Sequence, residues 1–403
     1  MAQVFPPDAP CIASIREQLA HVRNIRAGKQ FVASGEIATS QQLSVLLESV
    51  FWASLRANEG RPTRARLALI EPERSNASII FADPADCGEA TIAKLSPALP
   101  QECYLGIGSS GATTRIWGFV HRAYVRDLEI LSVEIVEQGV LRVDIGPFRP
   151  FAILDGRSNV IHASSGRTLA HFLQKALSKV FPKDDILETQ AVWRECLAFD
   201  ELVRAILADG HGGAILIVPG PTGDWRRSLN PLPYLLKAPD ATIPEYIRKE
   251  LNETHQHFVA VEEIVQAVPT PDLKAQVYNA TVQRGNHWMP LDAIRSMASL
   301  LAVDGALVLT RDLTLLGFGA KIQFERDTEI RICIFAPSTG DQEVVMRPLE
   351  DLGGMRHQSA ARFVFANKDT FAVVVSQDRH VSLMYWESKF NAVSVVRNAE
   401  WWV

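Results

Sequence analysis

The hydrophobic period of this chain changes twice, and each change fixes a kind of secondary structure. In TSQQLSVLLESVFWASLRANEG, residues 39–60, apolar positions recur every three to four residues, the spacing of one helical face. Ser40 is placed to cap that helix, and Gly60 with Pro62 to stop it. A second helical pattern precedes it at 11–26. Beyond residue 60 the period shortens. RARLALI, ASIIFA, CYLGIG, RIWGFV and LEILSVEIVEQGVLRVDIG are rich in β-branched and aromatic residues, so residues 60–160 predict mainly strand. Helical spacing returns at 166–180 and 190–208. HGGAILIVPGPTGDW follows, a short apolar strand running into a proline–glycine turn.

At 403 residues the chain exceeds what one ordinary core organises. The strongest composition shift is at 219–244, which holds six prolines, at 219, 221, 231, 233, 239 and 244. That density predicts a long surface loop or a linker. Long helical patterns follow at 245–268 and 271–301. From residue 303 onward strand, loop, helix and strand alternate. The expected organisation is an α/β protein with its main boundary near residue 250. Residues 1–250 form an α+β region, with a further break near 150–165, and 251–403 form a C-terminal domain with a mixed sheet flanked by helices.

Composition excludes several classes. Apolar residues make up 47% and charged residues 22%, the balance of a globular chain rather than a disordered or fibrous one. The net charge of −5 argues against a general nucleic-acid coat. Cys11, Cys87, Cys103, Cys196 and Cys333 are odd in number, scattered and without a CxxC pair, which speaks against a disulfide framework or a zinc ribbon and for a reducing compartment. MAQVFPPDAP has prolines where a signal peptide needs an apolar run. No stretch is apolar for the ~18 residues a membrane span needs. The expectation is a cytoplasmic protein with neither membrane nor nucleic-acid partner.

Three features after residue 300 stand together. VDGALVLT opens with Asp304 and Gly305 and continues through Ala306 into an apolar run that predicts a buried strand. LLGFGAKI carries Gly317, Phe318 and Gly319. GGMRHQSA places two glycines before Met355, Arg356 and His357 at a helix start, and the β-rich TFAVVVSQDRHVSLMYW follows it. This combination resembles the diadenylate cyclase catalytic domain. Asp304-Gly305-Ala306 matches its DGA motif. Gly354, Arg356, His357 and Ala360 match its second motif, and Ser376 the serine after its last strand. The resemblance covers roughly residues 255–395. HGGAILIVP, EGRP at 59–62 and the mixed strand block resemble the sensor-like regions attached to some cyclases of this family. The stretch through Trp225 and Arg226 reads as a small-ligand or domain-contact loop.

The resemblance implies joining of two ATP molecules into cyclic di-AMP with release of two pyrophosphates, by 3′-hydroxyl attack on an α-phosphate. Such catalysis is mostly positioning and charge stabilisation. It implies Mg²⁺ or Mn²⁺ held by Asp304, with Asp378 a second metal-side carboxylate. Gly354, the Met355 backbone, Arg356 and His357 would cradle phosphates at a helix start, where N–H groups are free. Gly305, Ala306, Gly317, Phe318 and Gly319 would line the nucleotide site, with Ser376 near the triphosphate. A two-fold symmetric product implies self-association with catalytic domains face to face, and the N-terminal region would take a small-molecule signal.

The sequence departs from that pattern at three places. Met355 replaces a usual threonine, Gln358 an arginine, and Gln377 with Asp378 a pair of glutamates. These changes favour a second reading, a nucleotide or cyclic-dinucleotide sensor without turnover. A third is a ligand-free interaction scaffold. Alone, Asp304-Gly305 reads as a turn dipeptide, and Arg356 as a surface partner of Glu350 or Asp351. GIGSSG at 106–111 fits a dinucleotide fingerprint literally, but strand rather than helix follows, so a hairpin explains it. His255 and His257, two apart on a predicted helix, diverge too far to share a metal. HGGAILIVP echoes VDGALVLT, which reads as shared strand-start chemistry in preference to a distant internal duplication.

Overall fold

The computed structural model describes residues 6–10, 12–13, 15–17, 40–58, 60–72, 79–100, 103–110, 113–121, 130–145, 150–156, 160–163, 186–230, 232–267, 290–323, 329–335 and 345–402. The helix expected at 166–180 and most of that at 271–301 lie outside these residues. The chain divides into two compact units, Met1–Arg167 with Val265–His287, and Thr168–Ile264 with Trp288–Val403.

In the first unit, helix α1 (Ser40–Ser54) buries Leu43, Leu46, Leu47, Val50 and Phe51, the face its period predicted. Gly60 does not end this helix. It turns a two-residue hairpin between Ala57–Asn58 and Arg61–Pro62, with φ of 78°. The strands are β1 (Arg66–Leu69), β2 (Ile79–Asp86), β3 (Cys103–Ser110), β4 (Thr113–His121), β5 (Leu131–Glu137), β6 (Val140–Ile145), β7 (Pro150–Asp155) and β8 (Val160–Ala163), with helix α2 (Glu89–Leu95) after β2. They form an eight-stranded sheet in the order β8-β7-β6-β5-β1-β3-β4-β2, in which β1 and β3 run parallel. Residues 106–110 of GIGSSG lie in β3, which pairs antiparallel with β4, and the first glycine serves packing. A Cβ on Gly106 would stand 2.5 Å from the Trp117 ring, whose Nε1 donates to the Ile70 carbonyl at 2.7 Å. Arg142, 3% exposed, pairs with Glu134 at 2.6 Å and Asp144 at 3.0 Å, so this buried charge is compensated twice.

The second unit contains helices α3 (Ile186–Asp209), α4 (Thr242–Ala267), α5 (Leu291–Ser299) and α6 (Met355–Ala366). Its strands are β9 (Gly213–Val218), β10 (Tyr234–Asp240), β11 (Ala306–Thr310), β12 (Leu315–Ala320), β13 (Arg331–Phe335), β14 (Val345–Pro348), β15 (Phe371–Val375), β16 (Val381–Glu387) and β17 (Ala392–Val396). They form one nine-stranded sheet, β10-β12-β11-β9-β15-β16-β17-β13-β14, with β9 parallel to β11 and β13 parallel to β17. Alternation along β9 and β11 divides the core. Ile215, Ile217, Leu307 and Leu309 join residues of α3, α4 and α5. Ala214, Leu216, Ala306 and Val308 join residues of α6. Burial on both faces is why these strands read as unbroken apolar runs. Among the described residues no helix is long and apolar enough to cross a membrane.

This topology corrects the boundary near residue 250. Strand β9 sits between β11 and β15, and Ile243 and Ile247 of α4 belong to the same core. The proline-rich stretch is therefore no linker. It carries β10, the sheet's edge strand, where Pro239 forfeits no ladder bond that an inner strand would need. A fragment of residues 251–403 would lack the neighbour that β11 and β15 share. It should show no cooperative thermal transition by circular dichroism, whereas residues 186–403 should melt cooperatively.

Candidate functional site

The candidate residues converge through strand register. Ala214 of β9 pairs with Ala306 of β11, Gly213 with Val375 of β15, and Val375 with Val381 of β16. The entries of β9 and β11 therefore lie on the same edge of the sheet as the β15–β16 turn. Asp304 stands just before β11 and is exposed. His211 stands just before β9, also exposed, and Arg397 just past the end of β17. Helix α6 connects to β15 by the short turn 367–370, so it runs back antiparallel and its N-terminus reaches the same edge.

At that N-terminus Gly353 has φ of 112°, and Gly354 is the N-cap without a side-chain capping bond. The His357 and Gln358 N–H groups close onto the Gly354 carbonyl at 3.0 and 3.2 Å. An added Cβ at Gly353 or Gly354 would meet nothing within 4 Å, so this turn opens onto space. Met355 is 67% exposed and Arg356 is exposed beside it. Gln358 Nε2 donates back to the Gly353 carbonyl at 2.9 Å, and so holds the turn.

His357 is half-buried, and its pKa lies below 6.5. Burial is the main cause, followed by the charges of Arg397, Arg356 and His380. Those charges come from α6, from the end of β17 and from the β15–β16 turn. They make this part of the edge electropositive. His380 Nδ1 lies 2.9 Å from Oε1 of the buried Glu400, whose Oε2 accepts the Val381 N–H at 2.6 Å.

Ser376 is engaged in its own turn. Its hydroxyl accepts the His380 N–H at 3.0 Å, and its N–H donates to the His380 carbonyl at 2.8 Å. Asp378 is exposed in the same turn. By strand count, β11 to β15 and β16 is two to three spacings, or ~10–14 Å. Asp304 and Asp378 thus stand at separate parts of the edge. Among the described residues no group of three His, Cys, Asp or Glu is arranged to hold a metal. Asp304 by itself is the kind of exposed hard oxygen donor that suits a Mg²⁺ or Mn²⁺ also bound by phosphates and water.

The glycines of β12 have a different job from the one expected. A Cβ on Gly317 would lie 2.8 Å from the Tyr234 carbonyl oxygen, and one on Gly319 2.9 Å from the Tyr234 ring. Their missing side chains admit the neighbouring strand β10. Phe318 stacks on Tyr234 at 4.8 Å and packs against the core of α3, α4 and α5, the face opposite α6. Gly319 also meets Gly305. With φ of 130° and 68°, the two pack backbone to backbone, and a Cβ on Gly305 would fall 2.6 Å from the Gly319 oxygen. This contact fixes the loop that carries Asp304. The structure thus brings Asp304, Gly305, Ala306, Gly354, Met355, Arg356, His357, Ser376 and Asp378 to one edge, and leaves Phe318 on the other face. Arg397, His380, Glu400 and His211 escaped the sequence reading. Only the echo between HGGAILIVP and VDGALVLT signalled one of them, since it marks two strands that prove to be parallel neighbours in register.

Residues 33–121 match the family described as probable sensor domain DACNV, the N-terminal region of diadenylate cyclases. The match covers α1 and β1 to β4. No model of the cyclase catalytic domain matches, and no curated protein and no solved structure matches the chain.

Two outcomes follow. Gly305→Ala should lower stability by about 1–3 kcal/mol in chemical denaturation, because φ of 130° and the Gly319 backbone both oppose a Cβ. For His357, the unfolded chain binds more protons than the folded one between 6.5 and the depressed value. Stability should therefore fall as pH drops through that window, and His357→Gln should flatten the fall. Added pyrophosphate, by stabilising the imidazolium, should reduce it. Melting temperatures from about pH 7.5 to about pH 5.5 read all three.

Proposed function

We propose that the second unit is a diadenylate cyclase that condenses two ATP into cyclic di-AMP and two pyrophosphates under control of the first unit. The observation that carries this reading is the sheet edge that sets an exposed carboxylate, Asp304, apart from a cluster of cations at a helix N-terminus. From Asp304 to the β15–β16 turn that carries His380 the edge spans ~10–14 Å, which exceeds the reach of a single phosphate and suits a nucleoside with a phosphate chain. The sensor match at 33–121 supports it independently, through the kind of protein in which that domain occurs.

In this reading the phosphate chain lies against the α6 N-terminus, where N–H groups, Arg356 and His357 offset its charge. Asp304 would hold Mg²⁺ or Mn²⁺, which supplies Lewis acidity to the reacting phosphate when bound. The Gly305–Gly319 contact keeps that carboxylate in place. One protomer's nucleotide presents a 3′-hydroxyl to the α-phosphate of a facing protomer's nucleotide. The new O–P bond forms as the bond to the β-phosphate breaks, and the hydroxyl proton passes to water, with Asp304 helping to activate the hydroxyl. The electropositive edge disperses charge as pyrophosphate departs.

A second reading, nucleotide binding without turnover, is favoured by Gln358 and Ser376. Both spend polar groups on their own turns, where a cyclase would turn them to phosphate. Incubation with ATP and Mn²⁺ or Mg²⁺, read by mass spectrometry, separates the two. The expected outcome is cyclic di-AMP from the wild type, reduced on the order of 100-fold in Asp304→Asn. ATP that raises the melting temperature without product would select the sensor.

A further inference from the structure

Arg397 is a half-buried cation that the motifs do not include. Its Nη2 donates to the carbonyls of Asp351 and Leu352, both at 3.0 Å. Those are the last two residues of the short helical segment Leu349–Leu352, directly before Gly353 and Gly354. Arg397 thus ties the end of β17 to the turn that opens α6. Two carbonyls occupy one nitrogen of a group with five N–H donors. No carboxylate among the described residues pairs with it, and the Asp351 carboxylate faces Arg347 at 3.9 Å. The charges that bear on His357 from beside it are Arg397, Arg356 and His380, all basic. The Glu400 carboxylate nearby is spent on His380 and the Val381 N–H. A half-buried guanidinium among cations, without a counter-ion, is unfavourable unless an anion joins it.

We propose that Arg397 is a positioning and specificity residue of this site, holding the Gly353–Gly354 turn with Nη2 and giving its remaining donors to the β- and γ-phosphates of a nucleoside triphosphate. This rests on the nucleotide reading above. It assigns Arg397 a discrimination: triphosphate over monophosphate. Lysine keeps the charge but not the fork that bonds carbonyls and phosphate together.

The test measures affinities of ATP, AMP and inorganic tripolyphosphate by calorimetry for the full chain, Arg397→Lys and Arg397→Gln. ATP and tripolyphosphate should weaken at least about 10-fold in Arg397→Gln and less in Arg397→Lys, while AMP changes little, so the ATP-to-AMP preference collapses. An unchanged preference, with both ligands weakened equally or not at all, would overturn the assignment and leave Arg397 a structural tie. If Arg397→Gln does not fold, Arg397→Lys decides by the same ratio. If the wild type binds no ATP, the nucleotide reading fails. Tripolyphosphate bound by the wild type and lost in the variant would then preserve Arg397 as an anion-binding residue, and tripolyphosphate bound by neither would end both.

Discussion

The in-register pairing of β9 with β11 organises the second unit. Ala214 through Val218 lie beside Ala306 through Thr310, and all ten side chains are buried. Parallel strands must enter from the same edge. The chain before each, His211-Gly212 and Asp304-Gly305, is therefore delivered to one place. β15 and β16, added antiparallel, bring their connecting turn there as well. With both faces of these strands covered by helices, the edge is where the chain can present polar groups to a ligand without disturbing a core.

Charge at that edge is uneven, and the unevenness carries the chemistry. Asp304 stands before β11, His380 sits in the turn between β15 and β16, two to three strands away, Arg397 past the end of β17, four strands away, and Arg356 and His357 at the start of α6. The basic groups are kept close by the α6 turn, the β15–β16 turn, two carbonyl contacts to Arg397 and the Glu400 carboxylate beside His380. Burial first, and repulsion from the neighbouring basic groups second, depress His357, and the repulsion leaves the group receptive to an anion. The exposed turn at Gly353–Gly354 provides the room.

Much of this was legible in the chain. The helix at 40–54, the strand block and the apolar strands were read from period and composition, because amphipathic and doubly buried segments impose different patterns. Asp304, Arg356 and His357 were singled out through the resemblance to the cyclase motifs, and each lies within three residues of a glycine where a periodic segment begins. The proline-rich stretch misled, since proline marks edge strands as well as linkers, and only the position of β10 beside β12 tells them apart. Gly317 and Gly319 misled in another way. A missing Cβ shows that something approaches, and Tyr234 of the neighbouring strand approaches both.

By itself the sequence determined the kinds of element, their order and the local chemistry at the entry of β11 and the start of α6, because those follow from hydrophobic spacing and from the φ that glycine allows. Only the tertiary structure decided that β9 belongs beside β11, that the units divide before residue 186, and that Arg397 reaches the turn at 353–354. These rest on contacts between residues dozens of positions apart, which no local period records. Strand pairing and a guanidinium seeking carbonyls are satisfied wherever the fold brings partners together.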